Sequence, residues 1–378
     1  MPHKTGMLIL TLLILGLTAN GCGSSTEKSK SGDNKKKTDD KEKTDNSGSA
    51  ASKKPVFSLA WSEYPSWSVF GVAHEKGLIN GKRGQLGPIE TKWGIDIELM
   101  ELAYDPCIQL YSSGSCDAVC ITNMDVLAPS LTRDSVAIMP TSTSIGADAC
   151  IVVGISDVKE LRKHKVYGLA KSVSEYCFVR NLELQGEKEG DHQFSDMQPD
   201  AAALALQAKR AGTQAIVVWN PFVQQTLKTN KDARILFDST TIPEEIIDMV
   251  VVAKSSLQKP GGTDFAHAVV ETYYEFNKLL ADPAQRQGML VALGEKFSSL
   301  DADEMEECVQ KTVFYKTPDE GLGLFAGDKF PKTMNMVAAF CQQHEIVSEQ
   351  PKFAFGSKAA EGIHVRFDPS FMQHFKKK

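Results

Sequence analysis

The sequence predicts an α/β protein built as two lobes, and three observations carry that reading. Short apolar strands alternate with helical segments over residues 57–253, the pattern of sheets covered by helices. The strand segments form two sets, one ending near residue 153 and one near residue 237. A long apolar run at 246–253 follows them. Read as a returning strand, it inserts the second set into the first, with parallel-type sheets and two crossover strands as a hinge. The expected boundaries are 55–150 and 251–378 for lobe 1, and 151–250 for lobe 2.

The elements follow in order. Residues 57–61 form the first strand and 69–76 a helix. Residues 95–102 alternate as a strand does. Another strand at 118–122 leads into a helix starting over 125–130. Residues 136–139 and 150–153 read as strands. Ser156-Asp157 with Glu160 has the form of a helix start, giving a short helix at 157–163. A strand at 166–169 precedes a helix at 175–184. Pro199 holds a favoured first-turn position in an Ala-rich helix reaching Arg210. Strand 215–218, helix 222–228 and strand 235–237 complete the second set. Beyond residue 260 the chain turns helical. Phe265, Val269, Tyr273, Phe276 and Leu280 share one helical stripe, and helices follow at 283–293, 302–309 and 332–344. From Ser357 the chain reads as irregular.

Composition narrows the function. The 378 residues hold 42 Lys and Arg against 48 Asp and Glu, a net charge of −6. A nucleic-acid binder would need a basic surface. A single apolar stretch approaches membrane length, at the N-terminus, which excludes a polytopic membrane protein. There Lys4, an apolar run at 7–17 and the small Ala19 and Gly21 form a secretory signal. Cys22 resembles the acylated cysteine of a bacterial lipobox, although Ala19 stands where Leu is commonest. Residues 1–22 are therefore expected to be a signal with a lipid anchor at Cys22. Residues 23–54 hold nine Lys, six acids and no large apolar residue, the composition of a disordered tether. By subtraction, residues 55–378 carry 32 basic and 42 acidic residues, or −10.

Signatures of catalysis and of metal binding are scarce. The chain has no GxxxxGK[ST] loop, GxSxG elbow or HExxH helix. His74-Glu75 is followed by Lys76-Gly77, so the second zinc histidine is missing. Seven cysteines follow Cys22, at 107, 116, 120, 150, 177, 308 and 341. They read as small buried hydrophobes, with one disulfide, such as Cys107–Cys116, as the other possibility. No cofactor and no metal is expected.

Aromatic and polar residues instead gather at strand ends, where ligands bind in open α/β sheets. Trp61, Ser62, Tyr64 and Trp67 follow the first strand. Asn123, Met124 and Asp125 follow the third, and Asp105 comes just after Tyr104. Ser172, Ser174 and Tyr176 open a helix, Trp219 and Asn220 end a strand, and Glu245 and Asp248 flank the return. Rings stack on planar groups or attract cations, and the carboxylates counter positive charge. The dull alternatives are core packing for the rings, helix capping for Asp125 and the serines, and solvation for the acids.

These segments, Trp61-Ser62 with Tyr64 and Trp67, Thr122-Asn123-Met124-Asp125, Ser172-Val173-Ser174 with Tyr176, Trp219-Asn220-Pro221, and Phe237-Asp238-Ser239 with Ile242-Pro243-Glu245-Ile246-Ile247-Asp248, carry a resemblance. From about Val56 to Gln343 the chain resembles ABC-importer substrate-binding proteins of the nitrate/sulfonate/taurine and thiamine-precursor family, and within it the urea-carboxylase-associated branch. It departs by its cysteines, a Gly81–Gly87 insertion and Glu63 in the aromatic loop. The resemblance implies a type II periplasmic-binding-protein fold and a monomer outside the cytoplasm. It implies capture of a small solute, urea or guanidine in that branch, for an ABC permease and its ATPase. Sulfonate, nitrate and thiamine-precursor ligands stay open. So do a signalling receptor ectodomain and, against the secretory leader, a thiamine-precursor-synthase-like enzyme.

Overall fold

The computed structural model describes residues 54–296, 300–358 and 360–376. The expected signal, Cys22 and all but the last residue of the tether lie outside the described residues. No helix among the described residues is long and apolar enough to cross a membrane.

The strands are β1 (Val56–Trp61), β2 (Asp96–Glu101), β3 (Ala118–Thr122), β4 (Ser135–Ser144), β5 (Asp148–Val153), β6 (Lys165–Gly168), β7 (Gln193–Asp196), β8 (Ala215–Trp219), β9 (Ala233–Asp238), β10 (Ile247–Ala253), β11 (Thr312–Phe314), β12 (Phe353–Phe355) and β13 (Val365–Phe367). They form two sheets. The first runs β12-β13-β4-β10-β3-β1-β2, with β11 on β4, and the second runs β7-β6-β8-β5-β9.

Both sheets are mixed, parallel among the strands of the βα units and each crossed by one of the two expected crossover strands. β10 runs antiparallel to β3 and β4, and β5 runs antiparallel to β8 and β9. Each is the strand that enters its sheet from the other lobe, so it arrives against the direction of the βα units. Sheet membership changes close to the expected lobe boundaries. β4 ends at Ser144 and β5 begins at Asp148, so the first crossing precedes Cys150. The second crossing ends before Ile247, so all of β10 belongs to lobe 1. The polar Thr141-Ser142-Thr143-Ser144 end of β4 is fully buried, and an apolar-run reading stops short of it at Met139.

Three further segments escape the sequence pattern. Gln193–Asp196 is a polar, part-exposed edge strand. Pro88–Trp93 is a helix anchored by buried Glu90, whose Oε2 accepts from the Asn80 and Gly87 N–H groups and Oε1 from Ile97. This pins the end of the Gly81–Gly87 insertion to β2. The C-terminal stretch is not irregular throughout. β13 pairs in parallel with β4, and the Phe355 ring stacks on Phe367 at 5.0 Å.

The core agrees with the stripes. The helix Gly262–Ala281 buries Phe265, Val269, Tyr273, Phe276 and Leu280. β3 and β10 are buried along their whole lengths. The seven cysteines of the described chain are buried and unpaired, so no Cys107–Cys116 disulfide is formed. Burial pushes the thiols up, Cys107 to about 12 and Cys116 to about 11. Thiols held protonated in an apolar core behave as small hydrophobes.

Asn123 secures the second crossing. Its Nδ2 donates to the Glu245 carbonyl at 3.0 Å, and its Oδ1 accepts from the Ile247 N–H at 3.0 Å. Its own N–H donates to the Ile247 carbonyl at 2.8 Å.

Candidate functional site

The topology brings strand ends of both lobes to one place. Parallel strands supply the residues just past their carboxyl ends. The two crossover strands run the other way and supply their first residues. A small closed cavity results, with room for about one water molecule, lined by Tyr64, Trp67, Tyr104, Thr122, Asp148, Val173, Trp219, Ile246 and Asp248. Tyr64 and Trp67 lie in the loop after β1, and Thr122 ends β3. Tyr104 opens the helix Tyr104–Ser112 after β2. Trp219 ends β8 of lobe 2, and Val173 begins the helix Val173–Leu184.

Four rings form a continuous wall. Tyr64 and Trp67 meet at 4.9 Å, Trp67 stacks on Tyr104 at 5.2 Å, and Tyr104 meets Trp219 edge-on at 5.5 Å. The last contact joins the two lobes. All four residues are buried, with Trp219 4% exposed, so the lobes are closed over the cavity.

Two buried acids, Asp148 and Asp248, line the same space, and a third, Asp125, lies behind Tyr104. The Asp125 Oδ2 accepts from the Tyr104 hydroxyl at 2.7 Å and from the Thr122 hydroxyl at 2.9 Å. The Val173 N–H of lobe 2 also faces this carboxyl. Asp248 Oδ2 accepts from Ser142 at 2.5 Å, and Ser142 continues through Ser66 to Thr141. Asp148 sits at the start of β5, opposite Trp219 in the β5–β8 ladder. Burial pushes the Asp125 carboxyl up to about 6, against the hydrogen bonds it accepts. Burial likewise raises Asp148 to about 7, with Asp125 adding to the shift. It raises Asp248 well above the carboxylate range, with Asp148 and Asp125 adding. Among the described residues none of the three acids has a Lys or Arg within ion-pair distance, and no Lys or Arg lines the cavity.

Polar atoms without partners occur on two lining residues and on three residues near them in sequence. The Tyr64 hydroxyl faces Asp248 and Thr312 without forming a hydrogen bond within 3.5 Å, and the Trp67 Nε1–H is also unpaired. Ser62 Oγ, Ser174 Oγ and both amide atoms of Asn220 are buried and unpaired. Each of these three residues is within two positions of a lining residue. Buried polar groups are ordinarily hydrogen-bonded, so these unpaired atoms are free to bond to a solute.

Of the residues named from sequence, Tyr64, Trp67, Trp219 and Asp248 line the cavity, and Asp125 stands directly behind Tyr104. The others have different work. Trp61 is core, packed so closely on Gly71 that an added Cβ there would lie 2.7 Å from its ring. Met124 is core too. Asn123 is the clamp described above. Ser172 caps its helix, its hydroxyl accepting from the Ser174 N–H. Asp105 accepts from Gln109 on its own helix. Glu245 is already neutralised: Tyr176 donates to it at 2.6 Å and Arg180 holds it with bonds of 3.0 and 3.2 Å. Tyr176 is consumed by the same contact. Glu63 is pushed up to about 7, by burial first and by the Asp200 and Glu101 carboxylates next.

Sequence reasoning did not select Tyr104, Thr122, Asp148, Val173 or Ile246 as site residues. Asp148 had only a weak signal: a lone acid immediately before the apolar run Ala-Cys-Ile-Val-Val.

No family model matches the chain, and no curated protein is significantly similar to it. Solved structures are similar in fold. The periplasmic aliphatic sulphonate-binding protein SsuA of Escherichia coli superposes with a TM-score of 0.62 at 18% identity, over 78% of this chain and 94% of that one. The alkanesulfonate-binding protein SsuA of Xanthomonas axonopodis pv. citri, bound to MOPS, gives 0.63 at 15%, over 79% and 96%. The ligand-binding component of an ABC-type import system from Staphylococcus aureus, with zinc bound, gives 0.63 at 13%, over 86% and 100%. These neighbours are binding proteins of transport systems. The chain thus has an α/β fold of two mixed sheets, the type II periplasmic-binding-protein fold.

Proposed function

We propose that the protein is the solute-binding component of an ABC importer, capturing a small nitrogen compound of the urea or guanidine type by closing its lobes. The observation that carries this is two buried acids, Asp148 and Asp248, lining a cavity walled by four rings, with a third, Asp125, hydrogen-bonded to one of those rings, and none of the three with a cationic partner. A charge removed from water without a partner is costly, so an acid cluster of this kind favours a solute that brings positive charge or N–H donors. A planar guanidinium fits both features: its face lies on rings and its edges donate to carboxylates. Urea would use the same rings, accept from a carboxyl that burial keeps protonated, and donate to one that is ionised.

The mechanism is hinge closure. Asp125, Asp248, Tyr64, Trp67 and Tyr104 belong to lobe 1, and Asp148 and Trp219 to lobe 2. A solute touching both sets binds the closed form better and shifts the population toward it. No bond is broken. The closed form is then presented to a permease, and a lipid anchor at Cys22 keeps the protein at the outer face of the membrane.

A second reading, a sulfonate or other anion, is favoured by the fold neighbours that bind sulfonates. In this chain the N-terminus of the helix Val173–Leu184 reaches the cavity, and helix N-termini hold anions. Its Val173 N–H, however, already faces Asp125.

A thermal-shift screen separates the readings. At 100 times its dissociation constant a ligand stabilises by about 2.7 kcal/mol. Guanidinium, kept far below denaturing concentrations, or urea is expected to raise Tm, and taurine, nitrate and an alkanesulfonate are not. A shift with the anions alone overturns the nitrogen-compound reading.

A further inference from the structure

We propose that Glu175, Glu189 and His344 form a divalent-metal site that ties the C-terminal region of lobe 1 to lobe 2. One ligand atom from each of the three lies within 4.8 Å of the others. The three come from different elements. Glu175 is in the first turn of the helix Val173–Leu184, Glu189 begins the short 3-10 turn Glu189–Asp191, and His344 caps the helix Lys329–Gln343. The first two belong to lobe 2. The third ends a helix whose other end packs in lobe 1, where Phe330 stacks on Phe325 and meets Phe367 edge-on.

The donor set suits a borderline cation such as zinc. Zinc takes imidazole nitrogen and carboxylate oxygen as donors, and three protein donors leave a fourth position to water. Ion–ligand distances near 2 Å set the donors of a tetrahedral site about 3.3 Å apart. A spread of 4.8 Å reaches this by side-chain rotation. His344 Nδ1 already lies 3.5 Å from Glu189 Oε1.

The surroundings orient two of the donors. The His344 ring stacks on Phe340 at 3.9 Å, and Phe340 packs edge-on against Tyr176, the neighbour of Glu175. The Lys171 N–H donates to Glu175 Oε2 at 2.5 Å, which leaves the other oxygen for an ion. Such supporting contacts are what fixes metal ligands in place. Charge argues the same way. Among the described residues neither Glu175 nor Glu189 has a Lys or Arg within 4.0 Å. The nearby Arg180 is engaged by Glu183 and Glu245. Two uncompensated carboxylates beside an imidazole attract a cation.

The consequence concerns closure. A site assembled from both lobes is complete when they are together. An ion bound there stabilises the closed form by mass action, whatever the cavity holds. The inference therefore stands apart from the identity of the solute.

The test uses the full-length chain, with ZnCl2 as the probe and MgCl2 as the comparison. Isothermal titration is expected to show zinc binding that His344→Ala and Glu189→Gln each weaken by at least about tenfold. Small-angle scattering of the solute-free protein is expected to show a more compact particle with zinc, and no change in the His344→Ala variant. With Co2+ as a stand-in, the spectrum is expected to lack thiolate charge-transfer bands, which separates this site from the cysteines. Equal zinc affinity in wild type and both variants overturns the proposal. So does a thiolate signature, or zinc binding at this triad that leaves the scattering profile unchanged. Circular dichroism checks that each variant is folded.

Discussion

Two acidic regions of this molecule lie a few residues apart and behave in opposite ways. Glu245, on the second crossing, is held by Arg180 and Tyr176. Asp248, three residues later, accepts from a serine hydroxyl and has no cation beside it. Both are withdrawn from solvent. One is a completed ion pair and the other an incomplete one, joined in its incompleteness by Asp125 and Asp148. Burial alone therefore does not identify a binding acid. What distinguishes it is the missing partner, because a fold assembled without that partner leaves room for a solute to supply it.

Substitutions break the comparison from each side. Arg180→Ala leaves Glu245 half-buried and uncompensated. It should destabilise the protein by about 2–4 kcal/mol, with little effect on solute affinity per folded molecule. Urea denaturation and calorimetric titration measure the two effects separately. Asp248→Asn should do the reverse. Loss of one charged hydrogen bond to a solute costs about 1.5–3 kcal/mol, a drop in affinity of roughly tenfold to a hundredfold. Stability of the empty protein should hold or rise, since an uncompensated buried acid has been removed. If Asp248→Asn instead unfolds the protein with affinity unchanged, Asp248 belongs with Glu245.

The pH dependence sharpens the contrast. Asp125 and Asp148 titrate near 6 and 7 when folded, against about 3.9 unfolded. The folded state thus binds more protons between these values. The contribution of these two groups to the stability of the empty protein is greatest below pH 4, falls as pH rises from there through 6 to 7, and then levels, with a slope of at most about 1.4 kcal/mol per pH unit for each group. Affinity for a cationic solute should rise over the same interval, because the ionised carboxyls are the binding form. Denaturation and titration at pH 5, 6, 7 and 8 check both trends. The smallest effect belongs to Glu244, next to Glu245 but part-exposed and paired at 3.1 Å with the exposed Lys329. Lys329→Ala should change stability by less than about 0.5 kcal/mol in the same denaturation assay.

The sequence pattern made most of this fold legible, because the central strands and the helix Gly262–Ala281 bury continuous apolar faces. It failed where burial is polar. Thr141 to Ser144 continue β4 under cover of the lobe junction, and their hydroxyls read as a loop. Gln193–Asp196 pairs as an edge strand through its backbone, which side-chain type does not reveal. In the site, Tyr64, Trp67, Trp219 and Asp248 were legible as strand-end residues. Asn123, Tyr176 and Glu245 belong to the same segments, yet their polar atoms are spent on internal contacts. That distinction depends on which residue faces which across more than 60 positions of chain. Asp148 illustrates the opposite case: it begins β5 and lines the cavity, and a single acid before an apolar run gives little sign of that.

The ring contact between Tyr104 and Trp219 has one further consequence. The chain has four tryptophans, and two of them, Trp67 and Trp219, sit on the seam where the lobes meet. Trp61 is sealed in the core, and Trp93 packs among His267, His374 and Phe375 far along the chain. Parting the lobes would hydrate the two seam indoles and leave the other two undisturbed. The protein therefore carries a built-in optical gauge. Its unlabelled emission spectrum should redden on opening and shift back toward blue on capture, so the conformational equilibrium can be followed in real time without attaching a dye.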